Sequence, residues 1–120
     1  MSSKRILVVE DELLIALDMQ VTLEQFGHDV AVAISADQAM EAMKDSQFDL
    51  AILDYHLRDD TVTPLAKALK DIGVPFVICS GTLALEELGS AFADVPYLAK
   101  PFTTDGLLSA LKEAGRSDIH

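Results

Sequence analysis

Basic residues and cysteines are scarce in this sequence, and each shortage excludes a class of function. The chain has 9 basic side chains against 20 acidic ones, and its formal charge is −11. Because Lys and Arg supply most of the affinity for nucleic acids and anionic membranes, this balance disfavours both partners. It suits a metal cation or a basic protein surface better. Cys79 is the single cysteine, which excludes an internal disulfide framework and a cysteine zinc site.

Long apolar runs are also missing. No run approaches the ~20 apolar residues that span a bilayer, and the N-terminus has no signal-peptide pattern, so we expect a cytoplasmic protein without membrane contact. Half of the 120 residues are nevertheless hydrophobic, and the mean hydropathy is +0.27. These values favour a folded chain with one core, and we expect a single domain over residues 1–120.

One short apolar run, residues 50–53, leads directly into Asp54. A continuous run of this length is typical of a strand that is buried on both faces. Asp54 then lies where the strand leaves the core, at the edge along which open α/β sheets bind ligands. Taken alone, a carboxylate at this position is explained equally well as the start of a turn.

Similar runs recur along the chain and alternate with helical patterns. The five predicted strands are residues 5–10, 29–34, 49–54, 74–80 and 95–99. Strands that alternate with helices indicate a parallel sheet covered by helices on both faces. A doubly wound sheet of five strands commonly has the order 2-1-3-4-5.

Five helices are predicted from apolar residues at helical spacing. Their predicted inward residues are, in chain order, Leu14, Leu17 and Val21; Ala36, Met40 and Met43; Leu65, Leu69 and Ile72; Leu85, Leu88 and Phe92; and Leu107, Leu111 and Ala114.

Capping residues predict several helix ends. Ser35 with Gln38 forms a capping-box pattern, and Thr63 suits an N-cap with Pro64 at the first helical position. Thr103 or Thr104 caps the last helix, and we expect residues 115–120 to be frayed.

Polar residues follow the predicted strands at the carboxyl edge of the sheet. Strands 1 and 3 are neighbours in this order, so Glu10, Asp11 and Asp54 converge at the switch point. Close carboxylates repel unless protons or a cation compensate them, and Mg²⁺ fits because it prefers oxygen ligands. The metal, the ammonium of Lys100 and the hydroxyl of Ser80 around Asp54 would form a cradle for a tetrahedral anion. If Asp54 is a nucleophile, that anion is a phosphoryl group that becomes covalently attached.

The set Glu10-Asp11, Asp54, Ser80-Gly81 and Lys100-Pro101, in this order, resembles the receiver domain of two-component response regulators. The resemblance covers essentially the whole chain and implies a flavodoxin-like (βα)5 sandwich. The run from Pro75 to Gly81 is also faintly similar to a subgroup of stand-alone bacterial receivers.

The resemblance implies a role for each site residue. Asp54 is similar to the phosphoacceptor, Lys100 to the lysine that pairs with the phosphoryl oxygens, and Ser80 to the hydroxyl residue that moves to bond them. Tyr97 is similar to the switch aromatic, which alters the surface of the fourth helix, fifth strand and fifth helix. The bond between Lys100 and Pro101 is usually cis in this family.

The resemblance also implies a Mg²⁺ site. Asp11 and Asp54 would be direct ligands, the backbone carbonyl of His56 a further one, and Glu10 a ligand through water. An alternative for Asp11 alone is that it caps the first helix.

The implied function is a signalling switch rather than a metabolic enzyme. A histidine kinase or phosphotransfer protein would donate the phosphoryl group, a downstream protein would read the altered surface, and the chain would hydrolyse its own acyl phosphate. A phosphorylation-dependent homodimer through that surface is implied by the family alone.

Departures and alternatives remain beside this interpretation. Arg58 and Val62 stand where the family usually has proline and glycine, so the loop after Asp54 is expected to differ in shape. An aspartate-nucleophile phosphatase would need a second aspartate where His56 stands, and a cofactor-carrying flavodoxin would need phosphate-binding residues after the first strand. A degenerate receiver that acts by protein contact without phosphorylation is a further alternative.

Overall fold

The computed structural model describes residues 3–55, 57, 62–81 and 95–117. Its five strands are β1 (Arg5–Val9), β2 (Asp29–Ala33), β3 (Leu50–Asp54), β4 (Phe76–Ser80) and β5 (Tyr97–Ala99). All pairings are parallel, and the order is β2-β1-β3-β4-β5. The predicted doubly wound sheet is therefore confirmed, and each strand is one or two residues shorter than predicted.

Four helices lie within the described residues: α1 (Leu13–Gln25), α2 (Ala36–Asp45), α3 (Val62–Asp71) and α4 (Thr104–Ser117). The helix α4 corresponds to the fifth helix of the sequence prediction. The predicted fourth helix, with Leu85, Leu88 and Phe92, lies outside the described residues. In the part of the chain that is described, no helix has the length and apolar character needed to cross a membrane.

The sheet separates two apolar cores, because successive side chains of a strand point to opposite faces. Leu7 and Val9 of β1 join the core beneath α2 and α3, whereas Ile6 and Val8 join the core beneath α1 and α4. Every residue of β3 and β4 is buried. This two-sided burial explains why the strand sequences are continuous apolar runs rather than alternating ones.

The predicted inward face of α1 is wrong. Leu14, Leu17 and Val21 are 80%, 42% and 54% exposed, and the helix instead buries Ala16, Met19 and Leu23. Both sets have the spacing i, i+3, i+7, so periodicity alone does not distinguish them. The structure therefore leaves one apolar face of α1 on the surface.

The predictions for α2 need one correction. Met40 is 37% exposed, and the buried residues of the helix are Ala36 and Ala39, with Met43 packed at the edge of the core. The N-cap is confirmed, because the Ser35 hydroxyl accepts a hydrogen bond from the backbone N–H of Gln38 (3.1 Å). The Gln38 side chain accepts from the N–H of Ile34 rather than from that of Ser35.

The start of α3 also differs from the prediction. The helix begins at Val62, so Thr63 is not its N-cap, and Pro64 lies in the first turn, where its missing N–H is tolerated. Val62, which stands where the family usually has glycine, is 3% exposed and packs in the apolar core. Leu65 and Leu69 are buried as predicted, whereas Ile72 follows the helix and is 61% exposed.

The last helix confirms one of its two predicted caps. The Thr103 hydroxyl accepts a hydrogen bond from the N–H of Gly106 (3.0 Å), and Leu107, Leu111 and Ala114 are buried as predicted. The helix continues to Ser117, two residues past Gly115, and fraying at the end of the chain stays a prediction. Residues 118–120 lie outside the described part of the chain.

Candidate functional site

The parallel register places three carboxylates at one edge of the sheet. Val9 lies opposite Leu53, so Glu10, which follows β1, lies beside Asp54, which ends β3. Each of Glu10, Asp11 and Asp54 offers an oxygen within 4.8 Å of the other two. Glu12 rather than Asp11 occupies the N-cap position of α1, so Asp11 remains in the acidic cluster.

Two of these carboxylates are almost completely removed from solvent. Glu10 is 2% and Asp54 3% exposed, while Asp11 is half-buried. Charged side chains are seldom buried to this extent unless other charges or hydrogen bonds compensate them. The cluster therefore requires a positive partner.

Lys100, which follows β5, supplies that positive partner. Its Nζ lies 2.7 Å from Glu10 Oε1 and 3.3 Å from Asp54 Oδ1. The backbone N–H of Lys100 donates to the carbonyl of Ser80 (3.0 Å), which extends the pairing of β4 and β5 by one residue. The bond from Lys100 to Pro101 is cis, as the resemblance implied.

The backbone and the side chain of Glu10 each make a hydrogen bond. Its backbone N–H donates to the Ala33 carbonyl (3.0 Å), and its Oε2 accepts from the N–H of Glu12 (3.1 Å). Its Oε1 is buried without an aligned hydrogen-bond donor among the described residues. The ammonium of Lys100, 2.7 Å from that oxygen, is its charged partner.

This environment shifts the pKa values of both partners. Burial raises the pKa of Glu10 from its ordinary 4.5 to about 7, with Lys100 opposing and Asp54 reinforcing the shift. For Lys100, burial acts to lower the pKa, but the contacts with Glu10 and Asp54 outweigh it and the net pKa is raised. The lysine thus stays charged, while Glu10 exchanges its proton near neutral pH.

The donor set fits a hard divalent cation. The ligand atoms are carboxylate oxygens, which Mg²⁺ prefers, and the net charge of the three ionised carboxylates exceeds that of one ammonium. The buried Oε1 of Glu10, without an aligned donor, is an oxygen that a cation would satisfy. The acidic cluster is therefore able to hold a metal ion.

Comparison with known proteins identifies the family. The family model described as the response regulator receiver domain matches residues 6–112. The chain belongs to the response regulator receiver family. Receiver domains are signalling switches of two-component systems that accept a phosphoryl group as their general function. They interact with kinases and downstream partners, and they are generally not classed as enzymes.

Relatives and solved structures agree with this assignment. The chain is 29% identical over 113 residues to the transcriptional regulatory protein ZraR of Escherichia coli K12, covering 91% of this chain and 26% of ZraR. It is 32% identical over 105 residues to the alkaline phosphatase synthesis transcriptional regulatory protein PhoP of Bacillus subtilis, covering 84% of this chain and 44% of PhoP. The receiver thus corresponds to less than half of either relative.

The structural likeness extends over nearly the whole chain. A CheY-like response regulator receiver domain from Methanospirillum hungatei superposes with a TM-score of 0.85 at 29% identity, covering 98% of each chain. NtrX from Brucella abortus gives a TM-score of 0.88 at 28% identity, covering 98% of this chain and 28% of NtrX.

Two further contacts in this receiver domain were not predicted from the sequence. The Tyr97 hydroxyl donates to the Ser80 carbonyl (3.1 Å), so that carbonyl accepts both from Tyr97 and from the N–H of Lys100. The direct pairing of Glu10 with Lys100 was also missed, because Glu10 was expected only as a ligand through water. The sequence does offer one signal for this pair, because three acidic residues and one lysine are predicted at the same edge of the sheet.

Two positions singled out in the sequence lie outside the described residues. They are His56, whose carbonyl was expected to bind Mg²⁺, and Arg58. Ser80 ends β4 and is 2% exposed, at the same edge as Asp54. Cys79 beside it is buried, and burial raises the pKa of its thiol to about 12, which suits an inert apolar residue.

The pKa of Glu10 predicts how stability depends on pH and Mg²⁺. The folded-state pKa of about 7 lies above the ordinary 4.5, so the contribution of this group is fully present below pH 4.5 and is lost as pH rises through 7. In metal-free protein, we expect the free energy of unfolding to fall between pH 5 and pH 8 by about 2 to 3 kcal/mol more in the wild type than in Glu10→Gln. Urea unfolding at both pH values measures this difference.

Mg²⁺ should restore most of the lost stability at pH 8 and little at pH 5, because it competes with the proton for the carboxylate. Equal pH dependence of the wild type and Glu10→Gln would contradict this description of the site.

Proposed function

We propose that residues 1–120 form a receiver unit that accepts a phosphoryl group onto Asp54 in a Mg²⁺-dependent reaction. The donor is the phosphohistidine of a histidine kinase or phosphotransfer protein. The observation that supports this most strongly is the position of Asp54, buried at the end of β3 between the acidic pair Glu10-Asp11 and the ammonium of Lys100.

In the proposed step, a carboxylate oxygen of Asp54 forms a bond to phosphorus while the P–N bond of the donor breaks. The released imidazole nitrogen takes up a proton as it leaves. Such transfers involve little covalent chemistry by the protein beyond the nucleophile, so catalysis consists of positioning and charge neutralisation. The sheet holds Asp54 rigidly for this purpose, since every residue of β3 is buried.

Lys100 and Ser80 would bind the transferred group. The ammonium of Lys100 is 3.3 Å from Asp54 Oδ1, close enough to pair with oxygens added at that carboxylate. Ser80 ends the neighbouring strand, whose Cys79 lies opposite Asp54, and its hydroxyl would donate to another oxygen. Both residues are joined through the bond from the Lys100 N–H to the Ser80 carbonyl.

A bound Mg²⁺ ion would neutralise charge on the phosphoryl oxygens. Asp11 and Asp54 would bind it directly and Glu10 through water, with the backbone carbonyl of His56 as the remaining protein ligand. The three side chains are within reach of one ion, and their carboxylates suit it chemically.

The output would leave the site through Ser80 and Tyr97. Because the Tyr97 hydroxyl donates to the Ser80 carbonyl, a shift of Ser80 towards a phosphoryl group would disturb that bond and the half-buried ring. An open cleft of about 530 Å³ borders Tyr97, with Pro101, Thr103, Gly106 and Glu113 among its lining residues. We propose that a downstream protein reads this surface, and phosphorylation-dependent dimerisation through it stays a prediction.

The exposed apolar face of α1 supports a protein rather than a metabolite as the physiological donor. Leu13, Leu14, Leu17 and Val21 are all more than 40% exposed, and the helix begins two residues after Asp11. A cluster of exposed apolar side chains marks an interaction site more often than chance. We propose that the donor protein docks on this face and presents its phosphohistidine to Asp54.

Acetyl phosphate tests the chemistry at Asp54 without any partner. We expect intact mass spectrometry to show one added phosphoryl group on the wild type in the presence of Mg²⁺ and none after chelation. Asp54→Asn should show no adduct, because the amide is not a nucleophile of comparable strength. Asp71→Asn changes an exposed aspartate at the end of α3 and should be phosphorylated like the wild type.

An adduct of the same size on Asp54→Asn would refute Asp54 as the acceptor. No adduct on the wild type, together with no binding of beryllofluoride, would favour a degenerate receiver that signals by protein contact alone.

Docking through α1 predicts that one substitution separates protein donors from small ones. Leu14→Ser should slow transfer from the cognate kinase by about tenfold, as expected for a contact worth about 1.4 kcal/mol. Its phosphorylation by acetyl phosphate should be unchanged. Since Leu14 is 80% exposed, its free energy of unfolding should change by no more than about 0.5 kcal/mol.

Phosphotransfer from each purified histidine kinase of the source organism identifies the cognate kinase and measures the rate. Ile72→Ser is the matched control, because Ile72 is also exposed but precedes β4 at the opposite edge of the sheet. Equal transfer to the wild type and Leu14→Ser would contradict docking on α1.

A further inference from the structure

We propose that Lys100 acts as an internal cation that occupies Glu10 in the metal-free domain and must leave it when Mg²⁺ binds. Metal entry and the release of Lys100 from Glu10 would then be one event. This inference rests on the proposed Mg²⁺ site and describes how that site is regulated.

The distances from the Lys100 ammonium to Glu10 and Asp54 support this coupling. The ammonium lies closer to Glu10 Oε1 (2.7 Å) than to Asp54 Oδ1 (3.3 Å), although Asp54 is the residue that it would serve during phosphoryl transfer. The lysine is therefore paired more closely with Glu10 than with Asp54. Its side chain is only 19% exposed, so the pair is shielded from screening by water and salt.

Glu10 has little else to satisfy the same oxygen. Its Oε1 has no aligned hydrogen-bond donor among the described residues, whereas its Oε2 already accepts from the N–H of Glu12. The oxygen that faces Lys100 is thus the one still available to a cation. A divalent ion held directly by Asp11 and Asp54 would place one of its bound waters against this oxygen, because the three carboxylates lie within 4.8 Å of one another.

A divalent ion in the acidic cluster and the ammonium of Lys100 beside Glu10 Oε1 would repel each other strongly, because the site is poorly solvated. When the ion binds, the ammonium should withdraw from Glu10 and remain near Asp54, where a phosphoryl group would later need it. The cost of breaking the Lys100–Glu10 pair would lower the affinity for Mg²⁺. The metal would consequently both complete the site and free the lysine.

Calorimetric titration with MgCl₂ at one pH tests this coupling. Lys100→Met should bind Mg²⁺ about tenfold more tightly than the wild type, because the competing charge is gone. Lys112→Met removes the same charge from an exposed position on α4 and should change the Kd by about twofold or less.

A double-mutant cycle shows whether Glu10 mediates the effect. Lys100→Met introduced into Glu10→Gln should change the Mg²⁺ affinity by about twofold or less, since the pair is already absent. If the full gain persists in the Glu10→Gln background, the lysine acts only through the general field of the site and the proposal is wrong. A Lys100→Met variant that binds no more tightly than the wild type also overturns it.

Nuclear magnetic resonance of the wild-type protein tests the same coupling without any substitution. The ¹⁵N signal of the Lys100 ammonium should shift along the same isotherm as Mg²⁺ binding, and an unchanged signal at saturation would overturn the proposal. If neither the wild type nor Lys100→Met binds Mg²⁺, the metal requirement of the proposed function fails as well. If Mg²⁺ binds normally and only the coupling is absent, the proposed function stands without it.

Discussion

The structure depends on compensating the negative charge that the topology gathers at one edge of the sheet. Parallel pairing of β1 with β3 brings Glu10 and Asp54 together, and burial makes their mutual repulsion costly. The ammonium of Lys100, 2.7 Å from one and 3.3 Å from the other, offsets part of that cost. The negative charge that remains suits the cluster to a divalent cation.

The same constraint links the site to the rest of the domain. Lys100 is positioned by the pairing of β4 with β5, through the bond from its N–H to the Ser80 carbonyl, and Tyr97 bonds that same carbonyl. These bonds connect Asp54, through Lys100 and the Ser80 carbonyl, to Tyr97 on β5. This route favours a switch over a phosphatase, which would need a general acid where the sequence has His56.

The strands and the residues at their carboxyl ends were predictable because they rest on local signals. Continuous apolar runs identify buried strands, and alternation with helices determines on which edge Asp54 and Lys100 lie. The buried face of α1 was not predictable, since Leu14-Leu17-Val21 and Ala16-Met19-Leu23 share one spacing. The charge count indicates that Lys100 pairs with an acid, but which acid it approaches most closely was not predictable, because that depends on side-chain reach from β5 past β4 and β3 to β1.

Borohydride trapping shows directly whether Asp54 carries the phosphoryl group. Borohydride reduces an aspartyl phosphate to homoserine, so peptide mass spectrometry after treatment with a phosphodonor and Mg²⁺ identifies the position of the acceptor. We expect homoserine at position 54 and unmodified Glu10 and Asp11. Reduction at another position, or an intact position 54 in a chain that carries a phosphoryl group, would contradict it.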